Sequence, residues 1–255
     1  MPMILIFIFI FGLAIGSFLN CLIWRLHKSE SLWGRSYCPK CRKRIAWHDN
    51  IPLLSFIILS GKCRQCRQSI SWQYPVVELI TGVLFVGVFL NDFQSIFNFQ
   101  FLILILRDFF LISVMTVIFI YDLRWYLILD IVSLPACLIV FLLNLSLGFS
   151  WQSLLISGII GCSFFLSQFV ISSGRWIGGG DIRLGLLMGL ALGWPNVLVA
   201  MLIGYFIGSI VGLGLVVAGK KSWSSQVPLG IFLSVATIIT LFWGKAIVRW
   251  YLGQM

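Results

Sequence analysis

Two sets of side chains in this 255-residue chain could do chemistry: a pair of Cys-x-x-Cys knuckles and a few acids set in apolar surroundings. Cys38-Pro-Lys-Cys41 and Cys63-Arg-Gln-Cys66 are separated by 21 residues. Tetrahedral zinc takes four thiolates, and each knuckle supplies two from one turn. With Cys38, Cys41, Cys63 and Cys66 all as ligands, no position is left open for water, so the zinc expected here is structural rather than catalytic. Redox or disulfide use is the other reading. It suits neither the reducing side of the membrane, where the charge pattern below places the cluster, nor the lack of a βαβ pattern around it. Cys21, Cys137 and Cys162 lie in apolar runs and read as small buried residues.

The eight acids divide by context. Glu30, Asp49 and Asp92 fall in polar stretches. Glu78 stands near the start of an apolar helix, where interfacial solvation or a Lys or Arg partner would satisfy it. Arg107-Asp108 is expected at a membrane interface. Asp122, Asp130 and Asp181 adjoin apolar runs, and an acid at membrane depth costs about 2.5–3.5 kcal/mol at a helix centre, less near the interface, so function is the default reading. Asp181 follows Gly178-Gly179-Gly180, glycines that would break a helix and let other backbone or a substrate approach. It would then sit at the start of the next helix, where the positive dipole end favours a carboxylate. Asp122 ends another helix in Ile120-Tyr121-Asp122-Leu123-Arg124. Brought together, Asp122 and Asp181 would form a dyad in which one carboxyl is charged and the other holds a proton. Such a pair supplies a base to activate water and an acid for a leaving amine. Peptide hydrolysis fits that chemistry. A proton- or ion-coupled transporter would use the same acids, and an assembly scaffold would not need both.

The elements that position these residues are membrane helices. The chain is 60% hydrophobic and only 10% charged, where a soluble domain carries about 25% charged residues, and its mean hydropathy is +1.04. A soluble enzyme, a disulfide-stapled secreted domain and a disordered tail are excluded. The net charge of +10 suits the headgroups of an anionic lipid bilayer, and no nucleic-acid partner is expected. Apolar runs at 3–24, 76–90, 101–121, 128–147, 153–173, 182–194, 196–218 and 227–248 predict an all-α polytopic protein with about eight transmembrane helices. The count is seven if the short run at 182–194 is a broken or shallow segment. The first run lacks a basic start and a cleavage site and reads as a retained anchor.

Ten of the 18 Lys and Arg lie between Arg25 and Arg67, against two acids. This basic island reads as a small zinc-binding domain between the first two helices, giving segments 1–24, 25–73 and 74–255. The positive-inside bias places it in the cytoplasm and the N-terminus outside. Arg124, Arg175 and Lys220-Lys221 then fall inside; connections near 91–100, 148–152 and 194–196 fall outside and carry no Lys or Arg, while Lys245 and Arg249 run against the pattern. Gly204-x-x-x-Gly208-x-x-x-Gly212 predicts close helix packing. No internal repeat is evident.

The ordered set of motifs resembles the prepilin peptidases, membrane aspartic peptidases of type IV pilus, type II secretion and competence systems. Gly16-Ser17-Phe18-Leu19-Asn20-Cys21-Leu22-Ile23-Trp24-Arg25-Leu26 is similar to the family's opening G-S-F-L-N-x-x-I-x-R-L. The cysteine pairs, Asn50-Ile51-Pro52-Leu53-Leu54-Ser55 and Gly61-Lys62-Cys63 are similar to its cytoplasmic domain, Tyr74-Pro75-Val76-Val77-Glu78-Leu79 to its Y-P-x-x-E-L, and Gly178-Gly179-Gly180-Asp181 to its G-x-G-D. The resemblance implies that Asp122 and Asp181 are the catalytic pair, with Gly178, Gly179 and Gly180 as the active-site loop. It also implies that basic leaders are cut from prepilin or pseudopilin substrates at the cytoplasmic face of a bacterial plasma membrane. Many members methylate the new N-terminus with S-adenosylmethionine, a role that would fall to the cytoplasmic domain and its Gly61-Lys62 segment. The sequence departs from the family where Leu129 replaces the Pro before Asp130, where Arg183 stands for a Lys, and where a late P-F-G-P motif is reduced to Pro228-Leu229-Gly230. Asp130 is left with a helix-start or positioning role.

Overall fold

The computed structural model describes residues 2–93, 98–220 and 227–253. These form nine α-helices and one 3-10 turn: α1 Pro2–Lys28, the 3-10 turn Trp47–Asn50, α2 Leu54–Ile58, α3 Gln73–Asp92, α4 Phe99–Trp125, α5 Asp130–Ser146, α6 Trp151–Ile171, α7 Gly179–Leu192, α8 Asn196–Val217 and α9 Leu229–Tyr251. Each of the eight predicted apolar runs is a helix, with ends displaced by a few residues. Six of them (α1, α3, α4, α6, α8 and α9) are long and apolar enough to cross a membrane. The chain is a multi-pass membrane protein. With 17 residues, α5 falls short of that length, and α7, with 14, spans only about 21 Å at 1.5 Å per residue. Lys221 lies outside the described residues.

The chain forms two compact units, Met1–Phe93 and Gln94–Met255. In the first, α1 and α3 run antiparallel with their backbones in contact. A Cβ on Gly12 would lie 2.7 Å from the Cα of Gly82, and one on Gly16 would lie 2.7 Å from the Cα of Glu78. Only glycine permits that approach, which supplies dispersion contact where no hydrophobic effect drives helices together. The same register brings Asn20 to α3, where its Nδ2 donates to Tyr74 O at 3.2 Å and its Oδ1 accepts from Gln73 Nε2 at 3.0 Å. Where α1 ends, the buried Arg25 guanidinium donates to Leu32 O and, at 2.8 Å, to Gly34 O, folding the chain into the cysteine-rich segment.

In the second unit α7 packs against α5, α6 and α9, and its Leu184, Leu187 and Met188 are fully buried. A Cβ on Gly185 would lie 2.5 Å from Gly161 O, and one on Gly189 2.2 Å from Ser157 O, so α6 and α7 also meet backbone to backbone. This burial is why so short a helix is stable: its neighbours, not lipid, surround it. The glycine stripe on α8 packs over only part of its length. Gly204 and Gly208 lie against Leu233 and Phe232 of α9, whereas nothing lies within 4 Å of a Cβ built on Gly212.

Candidate active site and cysteine cluster

Asp122 sits in the last turn of α4 and is 5% exposed. The helix stops just beyond it because Tyr126 turns left-handed at φ 55° and returns its N–H to Asp122 O at 2.9 Å. The carboxylate faces the first turn of α9, where its Oδ2 accepts from Ile231 N at 3.1 Å, and Gly230 N–H also bonds the group. These are N–H groups that a helix start leaves without internal partners, and they carry the positive end of its dipole. A Cβ on Gly230 would stand 2.7 Å from Asp122 Oδ2, so a side chain there would push the carboxylate off its donors.

Asp181 is the third residue of α7 and is 7% exposed. Its Oδ2 accepts from Gly178 N at 2.9 Å, one half of a capping box whose other half Gly178 cannot supply. Ile128, in the short α4–α5 connection, lies between the two helix starts. A Cβ on Gly180 would fall 2.8 Å from Ile128 Cβ, and one on Gly230 would fall 3.0 Å from Ile128 Cδ1. Gly179 faces open space, with nothing within 4 Å of where a side chain would begin. The two carboxylates lie within electrostatic reach of each other. The structure thus brings Asp122, Asp181 and the glycine loop together. Beside them, Arg183 of α7 forms an ion pair with Asp130 at the start of α5, both partly exposed. Tyr205 of α8, within electrostatic reach of Asp181, donates to Gln168 at 2.8 Å.

Three expectations are corrected. Glu78 is buried, and its Oε2 accepts from the backbone N–H of Leu53 at 2.8 Å, with a second bond from Ser17; backbone and hydroxyl donors satisfy it, not solvent or a cation. Arg107 and Asp108 are also buried, as an ion pair at 2.5 Å. Arg107 Nη1 donates to Asn144 Oδ1 at 3.0 Å, and Asn144 Nδ2 donates to Leu190 O at 2.7 Å and Ala191 O at 3.3 Å. This network caps the C-terminal carbonyls of α7, the helix that carries Asp181 at its other end. The third correction is an internal repeat, which lies in the knuckles.

Cys38 N donates to Lys43 O at 3.0 Å and Arg42 N to Cys38 O at 2.8 Å; twenty-five residues on, Cys63 N donates to Gln68 O at 2.8 Å and Arg67 N to Cys63 O at 2.9 Å. Paired bridges Tyr37–Arg44 and Lys62–Ser69 close the two turns, and Arg42 and Arg67 adopt matching positive φ of 57° and 56°. The sequence hides this duplication because only Cys, Cys, Arg, Ile and Trp recur at that offset from Cys38 to Trp72. The four Sγ atoms lie within 4.8 Å of one another and could hold a metal ion. Backbone N–H groups of Cys66 and Gln65 pull the Cys63 thiol down to about 7, while desolvation and the neighbouring cysteine sulfurs push Cys66 up to about 11. Gly61, at φ 68°, belongs to the same scaffold: its N–H reaches Phe56 O at 2.8 Å and its C=O accepts from Ile70 N at 2.7 Å. Lys62 beside it is exposed.

Comparison with known proteins follows the same division. Residues 10–91 match the bacterial peptidase A24 N-terminal domain, and residues 109–213 match the type IV leader peptidase family. The first match contains the cysteine cluster and the second both Asp122 and Asp181. Among curated relatives, the prepilin leader peptidase/N-methyltransferase of Aeromonas hydrophila is 32% identical over 96% of this chain and 92% of its own. Those of Legionella pneumophila (29%, covering 96% and 93%) and Bacillus subtilis (28%, covering 96% of each) are also similar. No solved structure matches. With a relative that similar along almost its whole length and domain matches on both halves, the chain belongs to the type IV leader peptidase family.

Proposed function

We propose that this protein is a membrane aspartic endopeptidase that removes basic leaders from prepilin-like proteins at the cytoplasmic face of a bacterial plasma membrane. Asp122 and Asp181 are its acid–base pair. The observation that carries this reading is the site's construction: two buried carboxylates from different helices, each held through Oδ2 by backbone N–H at a helix start, beside an open glycine. At shared-proton distance two carboxyls do not both stay ionised, and the proposed reaction assigns the one proton to one member of the pair. The charged one takes a proton from water as it attacks the scissile carbonyl, and the protonated one gives its proton to the departing amine. Fixed backbone donors keep both oxygens in place without reorganisation during the reaction. The transporter alternative has no support in the family, and both acids lie at helix ends rather than mid-helix.

The cysteine cluster is proposed to hold structural zinc. A tetrahedral site with Zn–S bonds of about 2.3 Å places sulfurs about 3.8 Å apart, and the Sγ atoms of Cys38 and Cys66 are 3.8 Å apart. The basic segment around it faces the cytoplasm by the positive-inside bias. This domain is also the proposed seat of N-methylation. S-adenosylmethionine, when bound, supplies an electrophilic methyl group, and exposed Lys62 would meet its carboxylate; the backbone of Gly61 is already used by Phe56 and Ile70. The test is to incubate the purified protein in detergent with a prepilin and methyl-labelled S-adenosylmethionine. Release of the leader with label on the new N-terminus is expected; an intact prepilin under conditions where the protein is folded refutes the proposal.

A further inference from the structure

We infer that the short helix α2, together with Trp72, forms an interfacial foot that seats the cysteine domain in the headgroup–acyl boundary of the lipid bilayer. Two ties fix the depth of α2. Leu53 N, at its start, donates to Glu78 Oε2 at 2.8 Å. Phe56, in its middle, packs on Trp72 with ring centroids 5.0 Å apart. Trp72 immediately precedes α3, a helix of membrane-spanning length, and so stands at the membrane–water boundary, where tryptophan is enriched. Glu78 lies five residues into that helix, about 8 Å along its axis. The two ties therefore hold α2 level with the outermost turns of α3, which is the interfacial zone of a bilayer.

What α2 presents there is apolar. Ile57 is 71% exposed, Ile58 72% and Leu54 56%, and Trp72 itself is 72% exposed. Val76, Leu79 and Ile80, on the first turns of the helix that Trp72 precedes, are exposed and apolar as well. Charge agrees with this occupant. The segment from Arg25 to Arg67 carries ten Lys and Arg against two acids, and Arg35, Arg42, Lys43, Arg44, Lys62 and Arg67 are exposed. An exposed apolar helix within a strongly basic segment is the composition of a segment lying in the interface of an anionic bilayer. The foot also accounts for Glu78, whose buried carboxylate is used to hold the start of α2 at that depth.

The test uses the full chain in nanodiscs of phosphatidylcholine and phosphatidylglycerol. A fluorescent amino acid replaces Ile57, Ile58 or, as a knuckle-tip control, Lys40, and the lipids carry bromine near the headgroup end of the acyl chain. A probe at 57 and at 58 should lose most of its emission to these lipids, and a probe at 40 should lose little. Because each site reads local depth, one perturbing substitution does not decide the outcome. Water-like emission without quenching at both 57 and 58 overturns the proposal, as does equal quenching at all three positions. A foot covered by another protein instead of lipid would give that first result, since the nanodisc contains no partner.

Discussion

Replacing Gly230 by alanine should cripple peptide cleavage without unfolding the protein. A Cβ at that position would stand 2.7 Å from Asp122 Oδ2 and 3.0 Å from Ile128 Cδ1. Ordinary van der Waals contact begins at 3.4 Å, so the carboxylate and the start of α9 must separate by about 0.7 Å. The Ile231 N to Asp122 Oδ2 bond, now 3.1 Å, would then stretch to about 3.8 Å, outside hydrogen-bonding range. A hydrogen bond to a charged group contributes about 1.5–3 kcal/mol, and each 1.36 kcal/mol lost from transition-state stabilisation is tenfold in rate, so the expected fall is about 10- to 100-fold. Alanine is a better helix former than glycine, so propensity gives no reason for α9 to weaken. The assay is cleavage of a prepilin in detergent, with kcat and KM measured separately and membrane insertion checked in parallel. The loss should fall on kcat. Gly212→Ala on α8, where nothing lies within 4 Å, is the matched control and should cleave like the wild type. Wild-type kcat for Gly230→Ala would refute the claim that the start of α9 holds Asp122 in its working position, and an equal loss in Gly212→Ala would show that the effect is not local.

Three further outcomes follow from the same structure. Cys38→Ser should lower a zinc content of about one ion per chain and destabilise the cysteine domain, because the metal supplies folding energy to so small a unit; metal analysis of the purified protein decides this, and full zinc in a variant lacking all four knuckle cysteines would overturn it. Asn144→Leu should lower the thermal midpoint of the purified protein, since Arg107 and the carbonyls of Leu190 and Ala191 would each lose a buried partner at about 1–3 kcal/mol apiece; an unchanged midpoint would mean those groups find other partners. Asp130→Asn should retain substantial cleavage, because its ion pair with Arg183 is partly exposed, such pairs contribute about 0–1 kcal/mol, and Asp130 follows the N-cap Leu129, so no capping hydrogen bond is lost.

Much of this was legible in the sequence because membrane helices announce themselves through apolar runs and metal knuckles through local spacing. The eight runs and the four cysteines needed only short-range reading. Partners far along the chain were not legible. Glu78 reads as solvated because its donor, Leu53, lies 25 residues upstream in a segment that looks like loop. Arg107 and Asp108 read as interfacial because Asn144, which completes their network, stands 37 residues from Arg107 on another helix. The acids at the site were visible as intramembrane carboxylates, but their holders were not: Ile231 is 109 residues from Asp122, and Pro228-Leu229-Gly230 reads only as a shortened motif. The shortness of α7 pointed to a broken or shallow segment, whereas its fully buried Leu184, Leu187 and Met188 make it a core helix.

The central claim, that Asp122 and Asp181 act as one acid–base pair, is tested most directly by Asp122→Asn and Asp181→Asn. An amide keeps the shape of the carboxyl and can neither take a proton from water nor give one to the leaving amine. General acid–base catalysis contributes about 10²–10⁴-fold, so each variant, inserted and expressed normally, should cleave a purified prepilin at or near the limit of detection. Methylation of an already cleaved pilin should survive in both, because the cysteine domain and not the dyad is its proposed seat. Cleavage at the wild-type rate by either variant would contradict the account.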